Sequence, residues 1–290
     1  MIEIYFLHLG ILLGIYLILS LSLQITFGYT GLINFGHMAF FGVGAYVSAL
    51  LMISGLPFII AISLAGVLSA LTGFLLATLT NKLRGDYLAL ATLGFSFVVY
   101  NIFINWRPLT GGALGLSGIP APSLLGLDFS SSYSFFVLIA IITLLVYFLI
   151  KKLVDSPLGK VMEAIRDNEM ATNVLGKNTF KIKIISFSVS AFFAGIAGSM
   201  YAHYITFIDP SSFTVMQLIP IITIVIIGGL ASLKGTIIAT IVLVLLPEPL
   251  RLIGFSNSLI GPIRHGIYAI ILLLILIYKP KGFFGKVELE

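Results

Sequence analysis

The sequence predicts an all-α polytopic membrane protein. The expected architecture is a bundle of about 8–10 transmembrane helices, some broken or re-entrant, with one amphipathic helix on the cytoplasmic side. Three observations predict it. Hydrophobic residues make up 59% of the 290-residue chain and charged residues only 9%, with a mean hydropathy of +1.14, whereas a soluble domain carries about 25% charged residues. The apolar residues run continuously over stretches near the ~20 residues a helix needs to cross a hydrocarbon core. They do not alternate as the strands of a membrane barrel do. The basic residues gather in a few stretches between those runs, as in loops on the cytoplasmic side.

Spans are expected over 5–27, 37–54, 57–79, 87–105, 133–150, 184–204, 216–229, 236–253 and 263–278. The first has no basic leader, and no small-residue cleavage site follows Gln24, so it reads as a span and not a signal peptide. Between the first two spans, Gly28–Gly36 reads G-Y-T-G-L-I-N-F-G. Such an interruption suggests irregular backbone around a pathway. Asn34 lies in this break and His37 just beyond it, where each either bonds between helices or borders a cavity. The loop after the third span holds Lys82, Arg84 and Asp86, and Asp86 is expected to pair with Arg84 and fix the turn. Thr110–Gly118 is a glycine-rich segment on the outer side, either flexible or a contact for a binding protein. In the sixth span Ala191, Gly195 and Ser199, and likewise Ala194, Gly198 and Ala202, recur every four residues. These two small-residue stripes allow close helix approach. Gln24, Asn101, His203 and Gln217 are polar at membrane depth and read as interhelical hydrogen-bonding groups. Glu248 and Arg251, three apart, are expected to pair on one helical turn. No gap between spans is long enough for a soluble domain, so residues 1–290 read as a single transmembrane domain with a loop at 151–183.

Lys82 and Arg84 lie in one basic loop. Lys151, Lys152, Lys160, Arg166, Lys177, Lys181 and Lys183 lie in another, and Lys279, Lys281 and Lys286 in the tail. Even numbers of spans separate these stretches, which places all three, the C-terminus included, on the cytoplasmic side. Full crossings throughout put the amino terminus outside; a re-entrant segment at Gly28–Gly36 puts it inside. The net charge of +5 therefore follows the membrane, which excludes a nucleic-acid partner and leaves membrane lipid as one. With no cysteine there is no disulfide or thiolate chemistry. His8, His37, His203 and His265 lack metal-ligand spacing. No G-x-x-x-x-G-K-[ST] occurs, so the chain is expected to hydrolyse no ATP, to hold no cofactor or metal and to be no enzyme.

Residues 155–176 read D-S-P-L-G-K-V-M-E-A-I-R-D-N-E-M-A-T-N-V-L-G. Ser156 suits an N-cap, Pro157 the first helical position and Gly176 the stop. Leu158, Val161, Met162 and Ile165 form an apolar edge, with Lys160, Glu163, Arg166 and Asp167 on the polar remainder. The spacing predicts an amphipathic helix, or two with a break near Asp167–Asn168. Its mixed charge suits a protein groove better than a lipid surface.

This loop resembles that of the permease subunits of branched-chain amino acid ABC transporters. The shared pattern is S-x-x-G-[KR]-x-x-x-A-I-R-[DE]-[ND]-E-x-A-A-x-x-x-G. Ser156, Gly159, Lys160, Ala164, Ile165, Arg166, Asp167, Asn168, Glu169, Ala171 and Gly176 match, while Thr172 replaces the second alanine. Further blocks at Gly31–Tyr46, Leu83–Phe95, Asn105–Pro120, Gly228–Gly235, Pro247–Arg251 and Tyr278–Gly282 extend the likeness, and the R-G-D-Y and T-G-G blocks resemble the second permease of the pair. Ser96-Phe97 stands where many members carry an acid, so no role for that carboxylate is expected.

The resemblance implies an importer subunit in a prokaryotic plasma membrane. A second related permease, two ATP-binding cassette ATPases using ATP and Mg, and a periplasmic or extracellular substrate-binding protein would complete it. Ser156, Gly159, Lys160, Glu163, Ala164, Arg166, Asp167 and Glu169 would lie on the coupling helix that sits in an ATPase groove, and Asn34 and His37 beside the substrate path. The implied cargo is leucine, isoleucine and valine. Urea, amides, other amino acids, an ion-driven secondary transporter and a scaffold without a path are the alternatives. An ion-driven carrier normally needs an intramembrane carboxylate, and Glu248 is the main candidate the spans offer.

Overall fold

The computed structural model describes residues 2–124, 126–248, 257–279 and 281–285. The apolar runs become helices because continuous Leu, Ile, Val and Phe satisfy their backbone groups only within the segment once water is absent. Helix α1 (Ile2–Gln24) continues into a π-turn at Ile25–Tyr29. There follow α2 (His37–Ile53), α3 (Phe58–Thr80), α4 (Gly85–Asn105), a single turn α5 (Arg107–Thr110) and α6 (Ser132–Asp155). Then come α7 (Pro157–Val174), α8 (Thr179–Ile205), α9 (Leu218–Gly228), α10 (Leu233–Leu245) and α11 (Asn257–Tyr278). Among the described residues six helices are long and apolar enough to cross a membrane, while α2, α9 and α10 are shorter. Among the described residues strands are confined to two-residue pairs, Leu116–Ser117 with Phe207–Ile208 and Ser123–Leu124 with Leu127–Asp128. Arg251 lies outside the described residues, and with it the expected pair with Glu248.

The two small-residue stripes put α8 at the centre. Ala191, Ala194, Ser199 and Ala202 are fully buried. A Cβ on Gly44 of α2 would collide with the Gly195 backbone, and one on Gly198 with the Phe41 carbonyl. On Gly73 of α3 it would lie 2.7 Å from the Ala191 Cβ. Backbone-to-backbone approach of this kind gives apolar helices dispersion contacts that lipid cannot match.

Contacts between helix ends fix the direction of travel. The face that carries α7 receives the end of α1, where Arg166 Nη1 donates to the Gly28 carbonyl at 3.1 Å. The start of α1 lies at the opposite face, with His8 Nδ1 2.5 Å from the Tyr204 hydroxyl at the far end of α8. The chain then turns back through residues 31–34, which belong to no helix or strand, and α2 begins inside the bundle. There His37 Nε2 meets Ser22 Oγ at 2.9 Å and the Leu19 carbonyl at 3.2 Å. Helix α2 continues outward until Ser48 meets Ser199 and His203 at 2.7 and 2.8 Å. The break at Gly28–Gly36 is therefore irregular, but it does not reverse the parity, because α2 completes the crossing. Helix α9 runs back to the α7 face, where Phe283 N and Phe284 N of the tail donate to the Ile227 and Gly228 carbonyls at 2.9 and 3.2 Å. Helix α10 leads away again to Glu248, which accepts from the Tyr5 hydroxyl near the start of α1. The start of α1 and the tail at 281–285 thus lie on opposite faces.

Candidate functional site

Helix α7 forms as its residues dictate. Ser156 Oγ accepts from Gly159 N at 3.4 Å with Pro157 at the first helical position. Gly176, at φ +78°, follows the last turn. Asn168 has extended backbone (φ −161°, ψ 101°) and splits the helix in two. Its Oδ1 accepts from Ala171 N at 2.9 Å, so the second half carries its own cap. Met162 and Ile165 are buried as the apolar edge. Lys160, Ala164, Asp167, Met170, Val174 and Leu175 face outward. Glu163 is half-buried and accepts from Lys160 Nζ at 3.1 Å.

Gly159, Arg166 and Glu169 face the bundle, while Asn168, Ala171 and Gly176 are exposed. Gly159 is buried against the Val154 carbonyl, where no Cβ fits. Arg166, expected on the polar face, has a side chain only 12% exposed. It turns inward because the Gly28 carbonyl, freed by the π-turn, needs a donor; its Nη2 meets Asp167 at 2.9 Å. Gly31 (φ +69°) leaves room for the arginine stem, since a Cβ there would stand 2.7 Å from Arg166 Cγ. Glu169 holds Lys183 Nζ at 2.5 Å and Arg84 Nε at 3.2 Å. Arg84 therefore pairs across to α7 and not, as expected, with Asp86. Gly85 at φ +51° turns the chain between them, and Asp86 stands exposed in the first turn of α4, where the helix dipole favours an acid. A cleft of about 260 Å³ lies between the π-turn exit at Thr30–Leu32, the Leu83–Gly85 turn and the kink at Asn168.

At mid-depth, Asn34 and His37 are completely buried. Asn34 Oδ1 accepts from Gly36 N at 3.0 Å, while Asn34 Nδ2 and His37 Nδ1 have no partner among the described residues. Met38, the next residue, lines a chamber of about 130 Å³ with Leu12, Leu19, Phe41, Ser212 and Gln217. Tyr16 and Gln217 are shared with an adjoining cleft of about 40 Å³ that is bounded by Arg264, His265 and Tyr268. Arg264 Nε donates to the Tyr268 hydroxyl at 3.0 Å, which donates to the Leu243 carbonyl at 2.9 Å. Arg264 is not among the residues expected to matter from the sequence. The available signal was a lone guanidinium inside the apolar run 263–278.

The remaining polar residues divide. Gln24 is satisfied between helices: its Nε2 donates to the Gly229 carbonyl at 2.9 Å and Thr236 Oγ1 at 2.8 Å, and its Oε1 accepts from Ala231 N at 3.2 Å. His203 Nδ1 donates to the Pro120 carbonyl at 2.9 Å. Asn101 corrects the expectation, because it faces outward and caps the Phe97 carbonyl of its own helix at 2.8 Å. Between Thr110 and Gly118 the chain is held down by Thr110 Oγ1 on the Phe103 carbonyl at 2.6 Å and by the pairing of Leu116 with Ile208.

The family described as branched-chain amino acid transport system, permease component, matches residues 5–278. The high-affinity branched-chain amino acid transport system permease protein LivM of Salmonella typhimurium is 36% identical over 92% of this chain and 67% of its own length. The probable branched-chain amino acid transport permease protein LivM of Methanocaldococcus jannaschii is 28% identical over 93% and 90%. The permease protein LivH of Escherichia coli is 25% identical over 97% and 95%. No solved structure matches the chain.

Proposed function

Because the chain belongs to the family of branched-chain amino acid transport permeases, we infer that it is the membrane-embedded subunit of an ATP-binding cassette importer. Its cargo is leucine, isoleucine and valine, the class its relatives' names state. Residues 1–290 act as one permease unit beside a second, related permease. A substrate-binding protein delivers cargo at the face where α1 begins. Two ATPase subunits bind ATP and Mg at the α7 face, which is the cytoplasmic one, in a prokaryotic plasma membrane.

The observation that carries this reading is the two-sided build of α7. Lys160, Glu163, Ala164 and Asp167 offer a partly charged outer surface to the ATPase groove. Ser156 and Gly159 seat the helix, while Arg166 and Glu169 bind it to α1, α8 and the Leu83–Gly85 turn. A push on α7 therefore reaches the end of α1 and the irregular segment 31–34 that leads to Asn34 and His37, which support the substrate path from below Met38. Work is done only if the closed ATPases bind one permease conformation better than the other.

The test is co-purification and uptake with Lys160→Glu and Asp167→Lys. Lys160→Glu alters only the exposed surface, whereas Asp167→Lys also removes the carboxylate beside Arg166, so assembly with the second permease is measured alongside; with assembly kept, ATPase binding and leucine uptake fall together. Normal ATPase binding and normal uptake in both variants refute the coupling role of α7.

A further inference from the structure

We propose that Arg264 and the chamber beside it form the amino acid site of this permease, the guanidinium taking the cargo's carboxylate and the chamber its aliphatic side chain. The proposal rests on the importer reading above and names the residues that meet the cargo.

A guanidinium at membrane depth is costly unless it pairs. Arg264 lines the same cleft as Tyr16 in the middle of α1. Its one hydrogen-bond partner among the described residues is a neutral phenol, Tyr268, met through Nε. Glu248 acts on Arg264 only through space; no ion pair joins them among the described residues, and Glu248 accepts from the Tyr5 hydroxyl. The terminal nitrogens of Arg264 thus keep the planar fork that fits a carboxylate in two parallel bonds. Tyr268 holds the guanidinium in place, itself anchored on the Leu243 carbonyl.

The neighbouring groups complete an amino acid's outline. His265 Nδ1 faces the Gly261 carbonyl at 3.0 Å, so Nδ1 carries the proton. Its Nε2 is buried without a partner and is an acceptor in that tautomer, suited to the cargo's ammonium group. Tyr16 and Gln217 connect this polar cleft to the chamber lined by Leu12, Leu19, Met38 and Phe41. Its wall of Leu12, Ile15, Leu19, Met38 and Phe41 suits a branched aliphatic side chain, while Ser211, Ser212 and Gln217 lie at its polar margin, and among the described residues no charged side chain lines it to pair with a second cation. A carboxylate at one end and a hydrocarbon at the other is the chemistry of a hydrophobic amino acid; urea and simple amides have no anion for Arg264.

The experiment is radiolabelled leucine uptake by the complete transporter in proteoliposomes, comparing wild type, Arg264→Gln and Arg264→Lys, with co-purified partner subunits as the measure of assembly. Losing a charge-assisted bond predicts a fall of about tenfold or more in Arg264→Gln with assembly kept. Arg264→Lys, which keeps the charge without the fork, recovers part of the uptake. Wild-type uptake in Arg264→Gln, or an assembled Arg264→Lys as inactive as Arg264→Gln, overturns the site. If Arg264→Gln does not assemble, Leu12→Trp is read instead. It narrows the chamber without touching the charge and is expected to lower leucine uptake several-fold; unchanged uptake overturns the site. A wild-type transporter that moves none of leucine, isoleucine or valine refutes the importer reading itself, and the site with it.

Discussion

Replacing Glu169 with Gln removes the carboxylate that holds Lys183, whose side chain is 6% exposed against 19% for Glu169. The ammonium then stays buried with no anion. Breaking a buried pair in this way costs about 3–5 kcal/mol. The partial exposure of Glu169 argues for the low end, about 3 kcal/mol, or roughly a hundredfold in the unfolding equilibrium. Lys183→Met leaves Glu169 with Arg84 still 3.2 Å away, so about 1 kcal/mol is expected from that change. In the double variant no charge is stranded, and the amide can still accept from Arg84. Its loss should be near 1 kcal/mol and well below that of Glu169→Gln alone. Denaturant titration of the purified protein in detergent, run as a double-mutant cycle, measures the difference. If Glu169→Gln and the double variant are equally destabilised, the buried pair does not hold α7 to α8 and the argument for it fails.

Three further outcomes follow from the packing. Gly44→Ala forces a methyl into the Gly195 backbone, which cannot swing away, and should cost about 1–3 kcal/mol by the same titration. Gly94→Ala, with open space around its Cβ, should change stability by less than about 0.5 kcal/mol; equal effects at the two sites would contradict the close α2–α8 approach. Gln24→Leu leaves the Ala231 amide without its acceptor and should cost about 1–3 kcal/mol. A Gln24→Leu protein as stable as wild type means that this amide finds another acceptor.

Much of this was legible from the residues. Composition and run length locate the spans because lipid admits few alternatives to a helix. The halves of α7 were legible because Ser156, Asn168 and Gly176 act through local backbone chemistry. The stripes on α8 were legible because small residues at a spacing of four share one face. What the sequence left open depended on distant partners. Nothing local distinguishes Arg166 turned toward Gly28 from Arg166 in solvent, or tells Arg84 to choose Glu169 over Asp86. Asn101 was misjudged for the same reason: a polar residue at depth can bond across to another helix or back to its own carbonyl, and only neighbouring helices decide. Arg264 was not singled out from the sequence, and its relation to Tyr16, Gln217 and Met38 exists only once α1, α2, α9 and α11 converge.

The last carbonyls of a helix normally stay open to water. Those of α9 are instead closed by the Phe283 and Phe284 amides from beyond α11, and a Cβ on Gly229 would collide with Gly285. The elbow between α9 and α10 is thereby stitched to the chain's own far end. Neither arm can tilt alone without tearing two amides from their acceptors, and Gln24 pins the same elbow to α1, so α9, α10 and α11 should rock as a single paddle about that point. That paddle carries Arg264, Gln217 and Tyr268 with it, while Met38 and Phe41 stay with the block centred on α8, so the seam between paddle and block runs through the chamber.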